Sequence, residues 1–333
     1  MTTTADLLPA RFLLTPERLA AALSVAGLQA GPRSGFKELP VVNDPATVLR
    51  GAHLLTTQGA LAPDLDSTLQ VAADPQRVLT GLVIFAGSQA LRQISFVQGV
   101  EDNPVVLHRR HEQGWDLTLL PSSAQAIVLV DDLLSLSRLP AQVGDDAVEL
   151  DLPGYGAILA AADALQAARL AAQAGRSRVL PTLLTAPLLT EQLEKGLGTM
   201  DTRWAVTAAR LVAPLDLKLV VRQMGAGLEQ LQRSGLARAV RGGHELTREG
   251  LGIAGPLGYL LNAGGFVHIS VVSGQESTVA TINLFRTMAS IWLAMWTNVE
   301  ATGAKLRLME VSAGGALRVV AGMLTTLKQQ DGG

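Results

Sequence analysis

The densest group of side chains able to do chemistry is His108-Arg109-Arg110-His111-Glu112. In a strand, His108 and Arg110 share one face while Arg109 and His111 share the other. The two imidazoles therefore diverge and do not form a metal pair. The run reads as a solvated edge strand at a hairpin, whose charges discourage edge-to-edge association. Asp131-Asp132 falls in a helical stretch, where neighbouring side chains point about 100° apart and make a poor metal clamp. Asp145-Asp146 follows Gly144 in a loop. The Gly-rich runs Gly252 to Gly258 and Ala313-Gly314-Gly315 lack the Lys-Ser or Lys-Thr of a phosphate-binding loop and the spacing of a dinucleotide fingerprint. His53, His244 and His268 each sit in an apolar or hairpin context, and no Gly-x-Ser-x-Gly elbow occurs. The chain has no cysteine, which excludes disulfides, thiolate catalysis and Cys-ligated metals. These residues assign no catalytic group, cofactor or metal, and an enzyme is not expected.

Two other groups could serve recognition. Trp292 and Trp296 are four apart in a predicted strand and so share a face, where they could form an aromatic anchor for a partner or pack between a sheet and helices. Thr202 to Leu261 has the order of a winged helix. It contains helices over Trp204 to Val212, Leu217 to Met224 and Leu228 to Ser234, then a wing over Leu236 to Thr247 that turns at Gly242-Gly243. Arg222, Arg233, Arg238, Arg241 and Arg248 could meet phosphates there. Against DNA stand a third helix whose outer positions are Glu229, Gln230 and Gln232, and a chain of net charge -2. Winged-helix order also serves protein contacts.

Positioning these groups needs a substantial core. The 333 residues are 48% hydrophobic, 17% charged and only 4% aromatic, so aliphatic packing has to build it. Thr15-Pro16-Glu17 opens a helix, and helical spacing returns over Pro45 to Gln58 and Leu65 to Ala72. The period then changes to that of four strands, Val78 to Phe85, Leu91 to Gln98, Val105 to His111 and Trp115 to Leu119, in an antiparallel meander. A helix over Ser122 to Leu136 follows. After the Ala/Leu-rich helix Gly154 to Ala174, the order recurs. Helices and a hairpin lead through a helix over Arg248 to Leu261 to four strands, Val267 to Val272, Thr278 to Arg286, Ile291 to Thr297 and Lys305 to Glu310. A closing helix covers Ser312 to Lys328.

The run LRGAHLLTTQGALAPDLDSTLQVAADPQRVLTGLVIF, Leu49 to Phe85, resembles the EspG family of type VII secretion chaperones. The likeness lies in the Gln58-Gly59-Ala60-Leu61 turn, the Asp64-Leu65-Asp66 helix start and the Leu69 to Pro75 approach to the first strand. The resemblance implies two related halves, a central antiparallel sheet and flanking helical bundles. It implies binding of secretion substrates in the cytosol, without catalysis and without a cofactor, and it carries over no specific residue set. The winged-helix segment departs from the family pattern.

The expected fold is therefore α+β, with two related halves that each combine winged-helix-like helices, a four-stranded antiparallel sheet and a closing helix. The halves are 1–150 and 188–333, joined by an Ala-rich helix and connection over 151–187, with the winged-helix-like segment at 202–261. Met1 to Ala10 lacks a basic and then apolar leader pattern, and apolar runs break well before a membrane span, so a cytoplasmic protein is expected. The expected function is non-enzymatic, chaperone-like binding of an apolar helical protein partner, with DNA-binding regulation as the alternative and a homodimer possible.

Overall fold

A computed structural model of the chain describes residues 9–86, 90–99, 101, 103–139, 147–176, 183–212, 217–272, 275–297 and 305–325. The first set of elements is β1 (Arg11–Leu14), α1 (Pro16–Ala26), α2 (Pro45–Gly51), α3 (Pro63–Ala73), the strands β2 (Arg77–Phe85), β3 (Ala90–Gln98), β4 (Val105–His111) and β5 (Gly114–Leu120), and α4 (Ser123–Leu134). Helix α1 begins as its sequence dictates. The Thr15 hydroxyl accepts the Arg18 N–H, Pro16 takes the first turn, and Gly27 ends the helix at φ +66°. Helix α2 stops well short of Gln58, with His53 at φ +56° just beyond it.

The second set is β6 (Ala147–Asp151), α5 (Leu152–Gln173), α6 (Ala186–Gly198), α7 (Ala205–Val212), α8 (Leu217–Val221), α9 (Met224–Arg233), the hairpin β7 (Ala237–Val240) and β8 (Gly243–Leu246), and α10 (Arg248–Leu257). The strands β9 (Leu260–Val272), β10 (Gln275–Thr287), β11 (Ile291–Thr297) and β12 (Lys305–Val311), and helix α11 (Ala313–Thr325), complete it.

The protein is α+β, but the two expected four-stranded sheets are one. Strand β2 pairs antiparallel with β9, from Arg77 opposite Ser270 to Phe85 opposite Asn262, and fuses both meanders edge to edge. The sheet has ten strands in the order β1-β5-β4-β3-β2-β9-β10-β11-β12-β6. Read inward from either edge, it shows a short strand followed by a four-stranded meander in reverse. Strand β4 is thus interior, between β3 and β5, and the expectation that 108–112 forms a sheet edge is corrected.

Three cores hold the layers. On one face, α4 and α11 bring Val130, Leu134, Ala316 and Val320 onto Leu79, Phe96, Phe266 and Ile282. On the other face, α1 and α3 cover Val97, Val106, Trp115 and Leu117. At the far end of that same face, α5 lies against Phe285, Trp292, Trp296 and Leu306 and is wrapped by α6–α10. Helix α5 is buried all round from Gly154 to Leu165, as a helix apolar on every side has to be.

Two glycines mark close approaches between elements. Gly227, between the helices expected over Leu217 to Met224 and Leu228 to Ser234, is helical. It lies inside α9 because a Cβ there would stand 2.5 Å from the Pro153 carbonyl oxygen of α5. Gly265 of β9 faces the end of α7, where a Cβ would stand 1.6 Å from the Val212 carbonyl oxygen. Gly265→Ala is expected to cost about 1–3 kcal/mol by forcing helix and sheet apart. Gly252→Ala on exposed α10, where a Cβ meets nothing within 4 Å, is expected to stabilise by up to ~1 kcal/mol. The midpoints of urea unfolding check both, and equal midpoints would remove the close-approach account.

Candidate functional site: a basic cleft on the uncovered strip of the sheet

Among the described residues, the face that carries α1–α3 at one end and α5–α10 at the other is open between them. Helix α7 reaches β2 and β9, and α3 reaches β3, β4 and β5. Between these contacts Leu91, Gln93 and Arg110 are exposed, and Thr80, Leu82, Ser95 and His108 are half-buried. Leu91 keeps 48% of its surface. Strand alternation puts Thr80 and Leu82 of β2, Leu91, Gln93 and Ser95 of β3, and His108 and Arg110 of β4 on this face.

Part of the strip is a cleft of about 400 Å³. Its floor is Thr80, Gln93 and Ser95, with the Thr80 and Ser95 hydroxyls 3.5 Å apart. Its walls are Arg33 and Lys37 from the connection after α1, and His108 and Arg110 from β4. Arg33 is held in place by its Nε donating to the Pro75 carbonyl at 2.9 Å and by an ion pair with Asp74 at 3.2 Å. Gly35, between the two basic residues, has φ +71°, and a Cβ there would stand 2.8 Å from the His108 ring. That glycine lets the connection lie down on the sheet with Arg33 and Lys37 to either side. Phe36 meets His108 edge-on at 5.3 Å and Trp115 at 5.8 Å. Burial, and secondarily the charge of Arg110, lower the His108 pKa to about 4, so its ring is neutral at pH 7.

Arg110 also lines a second, open concavity of about 820 Å³ at the β4–β5 turn, together with Arg11, Arg18, His111 and Glu112. Beside it the carboxylate of Asp116 is fully buried and organises the cations. Arg11 binds it through two 2.9 Å hydrogen bonds, and Arg109 and His111 stand 3.6 and 3.7 Å away.

A third cavity, of about 550 Å³, lies between α5, α6 and Trp204. It contains Asp163, whose two carboxylate oxygens accept the Ala205 and Val206 N–H groups at 2.7 and 3.1 Å. A side chain of α5 therefore caps the N-terminus of α7. Burial pushes the Asp163 pKa up to about 7, overcoming the two N–H bonds, and the nearby Asp201 adds to the rise.

The residues singled out from sequence are dispersed. Trp292 and Trp296 share a face as expected, but that face is the core, and their exposure as a partner anchor is corrected. They keep 2% and 6% of their surface under α5. Trp292 Nε1 donates to Ser290 Oγ at 3.0 Å, and Trp296 meets Tyr155 edge-on at 5.4 Å. Arg222, Arg233, Arg238 and Arg241 are exposed around α9 and the β7–β8 hairpin. Arg238 is paired with Glu245 at 2.8 Å. Of the polar positions on α9, Gln230 accepts the Asp151 N–H and Gln232 meets His244. Asp131 accepts the Ser137 N–H at 2.8 Å. Asp145-Asp146 lies outside the described residues, among which no group of three or more His, Asp or Glu is placed to hold a metal. Among the described residues no helix is long and apolar enough to cross a membrane.

Sequence reasoning missed Arg33, Lys37 and Asp163. The first two sit in a Gly/Pro-rich connection without period. The signal for Asp163 was available, because a single carboxylate inside Ala160-Ala161-Ala162-Asp163-Ala164-Leu165 has to find donors.

No family model and no curated protein matches the chain. Among solved structures it is similar to the Mycobacterium tuberculosis type VII secretion system chaperone EspG5, determined in complex with a PE25–PPE41 dimer. The two share 11% identity over 95% of each chain, with a TM-score of 0.49, a likeness of overall arrangement alone.

The carboxyl of Asp163 has a folded pKa above its ordinary value of 3.8, so its contribution to stability is full in acid and is lost as pH rises from about 4 to about 7. His108 and His268, both lowered to about 4, act in the opposite sense, being destabilising as pH falls from about 6.5 to 4. Asp163→Asn removes the first term and leaves the second. Its stability is expected to rise more steeply between pH 4 and 7 than that of the parent, and to be lower in acid by about 1–3 kcal/mol for the N–H left unpaired. Urea unfolding across that range decides it, and parallel curves would contradict the assignment.

Proposed function

We propose that the chain is a non-enzymatic, chaperone-like protein-binding module of EspG-like type, which holds a segment of a helical protein partner against the uncovered strip of its sheet. The observation that carries this reading is the strip itself. Among the described residues, Leu91 and Gln93 are exposed and Leu82 is half-buried on the sheet between two helical layers. Exposed aliphatic side chains on a rigid sheet bind apolar side chains of a partner without prior rearrangement. Hydroxyl and amide groups at Thr80, Ser95 and Gln93 offer hydrogen bonds that fix register. Within the same reading, 1–150 supplies one layer, 188–333 supplies the other together with α5 of the connecting 151–187, and the protein works in the cytoplasm. The resemblance of Leu49 to Phe85 to the EspG family accords with it. DNA-binding regulation gains no specific observation.

A photo-crosslinking amino acid in place of Leu91 tests the proposal, with the same substitution at Val128 on α4, exposed on the opposite side, as control. In native lysate after nuclease treatment, a defined protein partner is expected to attach at Leu91 and not at Val128. Leu91→Asp is expected to reduce its capture at least several-fold while leaving the fold intact. Attachment at neither position, or equally at both, would overturn the reading.

A further inference from the structure

The chain as a whole is slightly acidic, with 27 Lys and Arg against 29 Asp and Glu. The cleft runs against that balance. Arg33, Lys37 and Arg110 line it, and among the described residues no carboxylate does. The concavity at the β4–β5 turn, which shares Arg110, adds Arg11 and Arg18, with Glu112 as its single acid among the described residues. The cleft and the concavity meet at Arg110, so Arg33, Lys37, Arg110 and Arg18 border one trough, while Arg11 turns to Asp116 on the opposite face. His108 contributes no charge at pH 7, since burial and Arg110 keep its ring neutral, so the trough's sign rests on Arg and Lys alone. Arg11 and Arg33 are already held by Asp116 and Asp74. Lys37, Arg18 and Arg110 are exposed, and the guanidinium of Arg110 lies 5.9 Å from the Trp115 ring, which restrains it.

Building on the proposed protein-binding role, we infer that the partner segment seated in this trough is an acidic polypeptide. Its apolar side chains meet Leu82 and Leu91, and its Glu or Asp carboxylates meet Lys37, Arg110 and Arg18. Complementary charge of this kind steers encounter and sets register, and it penalises basic or neutral competitors. A nucleic acid is the poorer occupant. A cleft of about 400 Å³ floored by Thr80, Gln93 and Ser95 is of side-chain dimensions, and Leu91 beside it offers apolar contact in place of a flat ring for stacking bases.

The probe is a short fluorescein-labelled peptide of alternating Glu and Leu, compared by anisotropy with its Gln-for-Glu counterpart, using the full chain. The Glu peptide is expected to bind at least about ten-fold more tightly than the Gln peptide and to weaken as salt rises. Lys37→Glu with Arg110→Glu is expected to abolish that preference. Lys37→Glu with Arg18→Glu, which spares the Arg110–Trp115 contact, is expected to reduce it, the fold of each variant being checked by thermal unfolding. Equal binding of the two peptides, an unchanged preference in both folded variants, or displacement of the Glu peptide by a short single-stranded DNA oligonucleotide at lower concentration than by unlabelled peptide would each overturn the inference. The outcome is separable from the protein-binding reading itself. A partner crosslinked at Leu91 together with equal peptide binding would leave that reading standing and remove only the acidic partner.

Discussion

The pairing of β2 with β9 is the contact on which the rest of the fold depends. Nine residues of β2, Arg77 to Phe85, stand opposite Asn262 to Ser270 in unbroken register. Without this ladder each meander would have a long edge of aliphatic strand open to solvent, a template for aggregation. With it, the edges of the sheet become β1 and β6, of four and five residues. Short strands are weak templates, and both carry charge, Arg11 at one end and Glu149 and Asp151 at the other. The seam also shares its cores between the two sets. Leu79 and Val83 of β2 lie in one cluster with Phe266 of β9 and Ile282 of β10, beneath both α4 and α11.

Helix α5 plays the matching part for the second helical layer. Its buried stretch touches α6, α7, α8, α9 and α10 and reaches β6 and β12. Such an arrangement requires small side chains where backbones approach and few polar groups. The stretch from Gly154 to Leu165 is Gly, Ala and aliphatic apart from Tyr155 and Asp163. Asp163 is the exception with a purpose, since the first N–H groups of α7 are buried and need an acceptor. A water-facing cap on α7 would have satisfied the same donors without tying the two helices together.

The meanders were legible in the sequence because strand alternation and turn residues are local, and their bounds were recovered within about three residues for seven of the eight strands. Strand β9 began earlier than expected, at Leu260. The apolar run Gly258-Tyr259-Leu260-Leu261 continues the helical pattern of α10 with no local stop signal that outweighs it. Strands β1 and β6 were missed because four or five residues give no periodicity to detect. The tryptophans show the deeper limit. Alternation puts Trp292 and Trp296 on one face, but only the placement of α5 decides that the face is buried. The cleft is similarly non-local. It joins a connection around Gly35 to strands that begin more than forty residues later, and nothing in either segment alone announces the other.

The uncovered strip follows from the width and twist of the sheet. Ten strands spaced about 4.8 Å apart span roughly 45 Å, whereas a helix covers about 10 Å. Across so many strands the accumulated twist turns the two ends of one face away from each other. The helices packed on β3–β5 and those packed on β2 and β9 make their contacts at separate places on the face. On the opposite face, α4 reaches β4, β5 and β9 and α11 reaches β2 and β11. On that opposite face the charged groups near β5 are paired, in the ion group of Asp116 with Arg11, Arg109 and His111. On the strip the exposed groups are Leu91, Gln93 and Arg110, which do not satisfy one another. A surface that geometry requires to be open, and whose side chains are left without mutual partners, is where a second molecule gains most by binding.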